Sequence, residues 1–236
     1  MGVLQVFERF FEDLAGDAAP PAPGHLYWVP VPETQEVPRV LDVQRATPDE
    51  HWATVFEITE MGNHHFKTRN RLPIKKLDLG ETEELLIAKA KKRPAVILAS
   101  ACVGDLETLP GTQKRLAQAL GKKCYLVAPL YSVSNFKEPS TFGPILVARI
   151  RALQYLHFFC LPQFDNPRMP GSIVRLDRVF PTYLGPGCEA MRQRLHEEPF
   201  EVILSQFSLL AGAVYREPYE LVRELVQAAL PRELVI

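Results

Sequence analysis

Apolar positions along this chain recur with two different periods. Val3, Leu4, Phe7, Phe10, Phe11 and Leu14 fall at helical spacing with Glu8, Arg9, Glu12 and Asp13 between them, which predicts an amphipathic first helix. Residues 15–24, AGDAAPPAPG, form a proline-rich linker after it. A strand is predicted over 25–31 (HLYWVPV), aromatic and β-branched, and another over 51–59, followed by a turn at MGNHH. Thr82 is placed to cap a helix through Leu85, Leu86 and Ala88. AVILASA then reads as a central strand, 112–121 as a short helix ending at Gly121, and 124–132 (CYLVAPLYS) as a further apolar strand. Residues 145–153 suit a helix and 155–160 a strand. SIVRLDRVF alternates, with Arg175 and Asp177 on one face of a strand and Val174 and Leu176 on the other. The rest is predicted helical, in amphipathic pieces at 191–195, 202–210 and 219–230 separated by Pro199 and Pro218.

Composition narrows the class. With 236 residues, 47% of them hydrophobic and 23% charged, the chain can bury a sizeable core in one large domain or one domain carrying insertions. The formal net charge of -1 supplies no global attraction to nucleic acid, so any such contact has to come from local basic patches. Cys102, Cys124, Cys160 and Cys188 lie far apart, which suggests neither a zinc site nor a disulfide framework and predicts reduced thiols. The first residues lack a basic leader pattern, and no run of about 18 apolar residues follows. The expectation is a soluble, cytoplasmic protein with no membrane partner.

Two runs carry candidate chemistry. In KKRPAVILAS, Arg93 closes a basic cluster with Lys91 and Lys92, and Pro94 favours extended backbone before it, at the point where hydrophobic chain begins. An arginine so placed either stays solvated at a strand end or grips a phosphate. In SIVRLDRV, Arg175 and Asp177 are spaced to share a face. That makes either a surface ion pair worth about 0 to 1 kcal/mol or a cation and a proton acceptor at one site. Residues 67–76 add Lys67, Arg69, Arg71, Lys75 and Lys76, a stretch that either extends a nucleic-acid groove or is neutralised by Asp78, Glu81, Glu83 and Glu84. His64 and His65, in the turn before it, are surface decoration or a general base. Trp28, Trp52, Tyr27 and Phe66 either stack on bases or fill the core.

Taken in order, WVP (28–30), KRPAVIL, YLVAPLYS and SIVRLDRV, followed by a helical tail, resemble the PemK/MazF family of toxin endoribonucleases. The resemblance covers about half of the chain, near 25–32, 91–101, 124–134 and 172–212. It implies an α+β protein on an SH3-like β-barrel, with the N-terminal helix and linker at 1–24 and a barrel domain at 25–236. Insertions fall at about 33–90 and 135–170, and C-terminal helices follow. It further implies metal-independent cleavage of single-stranded RNA, no cofactor, a homodimer, and an antitoxin protein as partner. Carried over position by position, Arg93, Arg175, Asp177 and Ser132 become the catalytic set, and Lys91, Lys92, Tyr131, Lys67, Arg69 and Arg71 the substrate-binding set. Tyr131 stands where the family usually has a threonine, and its hydroxyl reaches further from the backbone. Ser132, one residue along, is expected on the opposite face of the strand. The alternative is a non-catalytic module of the same fold that binds protein or nucleic acid.

Overall fold

The computed structural model describes residues 2–14, 20–33, 37–44, 55–67, 79, 82–101, 124–133, 142–164, 171–214 and 217–229. The fold is mixed α+β with antiparallel pairing dominant. The described strands, in chain order, are β1 (Phe11–Asp13), β2 (His25–Pro32), β3 (Arg39–Gln44), β4 (Val55–Glu60), β5 (Leu86–Ile87), β6 (Ala90–Ala101), β7 (Cys124–Ser132), β8 (Phe158–Leu161), β9 (Ser172–Arg175), β10 (Phe180–Tyr183) and β11 (Glu189–Leu195). The described α-helices are α1 (Pro144–Arg151), α2 (Glu197–Leu210) and α3 (Glu217–Ala228). Two compact units result, residues 1–30 with 92–236 and residues 31–91.

The larger sheet runs β1-β11-β2-β6-β7-β9-β8, with β10 also on β7, so that β7 is paired with β6, β9 and β10. The apolar run 95–98 of β6 is buried on both faces, as are residues 127–130 of β7. Gly24 makes the entry to β2 possible. Its φ of 85° is a left-handed conformation, and its backbone links two neighbours, donating to the Ile97 carbonyl at 2.8 Å and accepting from the Leu195 amide at 2.9 Å. Helix α2 starts with Glu197 and Glu198 in its first turn, where carboxylates complement the positive helix end, and buries Val202, Ile203, Ser205 and Gln206. Covering a side chain such as Ile203 contributes about 1.5–3 kcal/mol. The smaller unit is built on β3, paired antiparallel with β4 (Leu41 opposite Ile58) and with β5 (Val40 opposite Leu86).

Four expectations are corrected. The predicted first helix is a 3-10 turn at Val3–Gln5 followed by β1. Its apolar residues still face the core, with Val3 and Phe10 buried, but the free edge of β11 pairs with Phe11–Asp13 and overrides helical spacing in a phenylalanine-rich segment. The helix capped by Thr82 is replaced by β5, which completes the ladder on β3. The helical piece at 191–195 belongs to β11, where Met191, Gln193 and Leu195 turn inward with period two between β1 and β2. SIVRLDRVF is not one strand: β9 ends at Arg175, a 3-10 turn takes Leu176–Arg178, and β10 begins at Phe180. The helix predicted at 112–121 lies outside the described residues.

Candidate active site

Tyr131 lies near the end of β7, and strand pairing alone decides what surrounds it. β6 runs antiparallel to β7 with Ala95 opposite Pro129, so Arg93, two residues before Ala95, and Tyr131, two residues after Pro129, share a sheet face. The Arg93 guanidinium carbon stands 4.2 Å from the centre of the tyrosine ring. On the other edge of β7, Tyr131 is opposite Ile173 of β9, and Arg175, two residues along, brings its guanidinium to 5.3 Å. β8 adds Phe158, opposite Arg175 in register and 5.1 Å from its guanidinium. The 3-10 turn then returns Arg178 to the same place. Its guanidinium is 5.7 Å from the ring, and its Nη1 donates to the Tyr131 hydroxyl at 3.2 Å.

Three guanidiniums around one aromatic ring each gain from the negative face of that ring, by about 0.5–1 kcal/mol at a partly exposed site. They also repel one another. Asp177 relieves this for one of them. Arg175 donates from Nε to Oδ1 at 2.6 Å and from Nη2 to Oδ2, a two-pronged fork. Partial burial pushes the Asp177 carboxyl up. The hydrogen bonds and charge of Arg175, helped by a backbone hydrogen bond and Arg178, outweigh that and hold it below the usual carboxylate range. Arg175 is held more firmly protonated by its hydrogen bonds to Asp177, against the effect of its own burial. Among the described residues, no carboxylate forms an ion pair with Arg93 or Arg178. Among the described residues the cluster therefore presents three guanidiniums against one carboxylate on a protein of near-neutral charge, the local patch that anion binding requires.

The other candidate residues divide. Ser132 is exposed and in register with Ser172, and strand alternation sets it on the face opposite Tyr131, so pairing does not bring it into the cluster. Lys92 points away from Arg93 and pairs its ammonium with Glu189. Lys91 and Lys67 are exposed residues of the smaller unit, and Arg69 and Arg71 lie outside the described residues. In the smaller unit, the Gly62 amide donates to His65 Nδ1 at 2.8 Å and the two histidine rings lie 4.0 Å apart, so the pair builds its own turn. Tyr27 is core, Trp28 half-buried and Phe66 exposed. Reading LDR as strand hid Arg178. In a turn with three residues per revolution, positions 175 and 178 fall on one side, which is the signal that finds it.

Among the described residues, no group of three or more His, Cys, Asp or Glu is placed to hold a metal ion, and no helix is long and apolar enough to cross a membrane. Comparison with protein-family models, curated proteins and solved structures finds no match to this chain.

Proposed function

We propose that this chain binds single-stranded RNA at the Arg93–Tyr131–Arg175–Arg178 cluster and cleaves it without a metal, as a toxin-type endoribonuclease on an SH3-like, PemK/MazF-type barrel. The observation that carries the reading is the convergence of three guanidiniums on one tyrosine, two of them free of any described carboxylate. The order of sequence pieces supports the same reading, and with it a cytoplasmic homodimer held in check by an antitoxin.

In this proposal Arg93 and Arg178 hold the non-bridging oxygens of the phosphate, where charge grows in the transition state. The 2′-oxygen attacks phosphorus and its proton passes to the Asp177 carboxylate. The bond from phosphorus to the 5′-oxygen breaks, and that oxygen takes the Tyr131 phenolic proton, which Arg178 leaves available by donating to the tyrosine oxygen. The products are a 2′,3′-cyclic phosphate and a 5′-hydroxyl. A carboxylate held in a fork is in the correct protonation state at neutral pH but is weakly basic, so the reaction is slow by the standards of general base catalysis.

The same fork favours a second reading, a module that binds RNA without cutting it. Incubating purified protein with single-stranded RNA in EDTA, beside Asp177→Ala and Arg93→Ala, separates the two. Cleavage by the wild type with cyclic-phosphate ends, reduced by about 100-fold or more in both variants, is the expected outcome for the enzyme. Retained binding without cleavage assigns the module, and neither binding nor cleavage removes both.

A further inference from the structure

The second face of the same sheet carries a different site. Lys92 and Arg93 are successive residues of β6, so their side chains leave opposite faces. Arg93 goes to Tyr131, whereas Lys92 goes to Glu189, which is opposite Trp28 in the pairing of β11 with β2. There the register of β11 shifts between Ala190 and Arg194, a bulge-like irregularity of the kind that opens space in a sheet. A cavity of about 410 Å³ results, lined among others by Asp13, Trp28, Glu189, Met191, Arg192 and Gln193. Its size falls in the range of small-ligand sites, about 300–1,000 Å³.

The chemistry of the lining is selective. Trp28 is half-buried in the lining, and an indole is the best of the natural rings for a cation. Glu189 already forms an ion pair with the Lys92 ammonium. Arg192 has an interaction of its own. Asp13 is different: it is exposed and opposite Gln193 in register, and among the described residues its carboxylate has no hydrogen bond or ion pair. Among the described residues, the lining thus includes one carboxylate without a hydrogen bond or ion pair, together with an indole, an amide and a thioether. A phosphate would meet Asp13 unfavourably, and a neutral apolar group would strand it. A guanidinium suits both kinds of surface, since it stacks on aromatic rings and its N–H groups fork onto carboxylates.

We propose that this cavity binds the guanidinium of an arginine side chain presented by a protein partner. The site is on the sheet face away from the arginine–tyrosine cluster and does not depend on the RNA reading. The partner would supply an exposed arginine on an extended or loop segment, and the strength of the contact would fall as salt rises.

The test uses intrinsic fluorescence. The chain has two tryptophans, so Trp52→Phe leaves Trp28 as the reporter. This protein is titrated with an acetylated, amidated tripeptide carrying arginine at its centre, and with matched peptides carrying lysine or citrulline. The expected result is a saturable change with arginine, weaker with lysine and absent with citrulline. Asp13→Asn should weaken the arginine response by about tenfold, as loss of a charge-assisted pair does. Trp28→Phe, read by calorimetry and checked for folding by circular dichroism, should weaken it while keeping the preference for arginine. No saturable response, an equal response to citrulline, a stronger response to lysine, or a response to guanosine in place of arginine would each overturn the proposal.

Discussion

Tyr131 collects charge instead of hiding it. A threonine at that position would reach one phosphate with one hydroxyl, whereas the tyrosine ring lies beside three guanidiniums and accepts a hydrogen bond from one of them. The price of gathering those cations is the fork on Asp177, and the fork sets a pH signature. With its carboxyl held below the usual range, Asp177 stays ionised throughout neutral and mildly acidic solution. Cleavage through Asp177 should therefore show no loss between about pH 8 and pH 5, where an ordinary histidine base with a pKa near 6.5 would lose most of its activity. A pH–rate profile of wild-type protein checks this, and a descending limb centred near pH 6.5 would point to histidine chemistry. His25, by contrast, governs stability. It is buried at the start of β2, and burial, with the nearby Arg194 charge second, lowers its pKa below 6.5. The folded state thus binds a proton less readily than the unfolded one. Its contribution to stability is complete above about pH 6.5 and is lost as pH falls from there through the folded value. Thermal melts between pH 7.5 and 5 should show Tm falling with acidity, with a shallower fall in His25→Gln.

Elements position the cluster through hydrogen bonds that reach across the core. Gln206 of α2 is fully buried and donates from Nε2 to the Phe158 carbonyl at 3.2 Å, tying the helix to the strand whose phenylalanine packs under Arg175. Gln206→Leu leaves that carbonyl without this donor, and a lost buried partner costs about 1–3 kcal/mol. In a chain of this size the melting temperature should fall by about 2–4 °C per kcal/mol, measured by calorimetry. What was legible in the sequence follows the same division. Strands with continuous apolar runs, β2, β6 and β7, were read close to their observed positions because burial on both faces leaves a signal in consecutive residues. Helices α1, α2 and α3 were read for the corresponding reason of period. β1, β5 and β11 are not legible, because partners far along the chain overrule their helical spacing. The site was legible in part: Arg93, Arg175, Asp177 and Tyr131 come together. Arg178 and Phe158 were not found, since a turn after β9 and a pairing with β8 bring them in.

For the whole molecule, charge decides what kind of contact the proposed RNA binding can use. A net charge of -1 gives no long-range field to hold a polyanion, so affinity must come from the local cluster and from stacking. If two or three phosphates are neutralised there, the logarithm of the binding constant should fall with the logarithm of salt at a slope of about -1.4 to -2.1. Titrations by fluorescence anisotropy across a salt series measure this. A much steeper slope would mean that a broader basic surface carries the RNA.

The most direct measurement is the affinity of a single-stranded RNA oligonucleotide for wild-type protein and for Arg93→Ala/Arg178→Ala, at one salt concentration and with folding checked by circular dichroism. The two cations without described carboxylate partners are then the only groups changed. The account predicts a loss of about tenfold or more, since hydrogen bonds to charged groups are worth about 1.5–3 kcal/mol. Equal affinity in the two proteins would contradict it, and would place any RNA contact somewhere other than the ring of arginines around Tyr131.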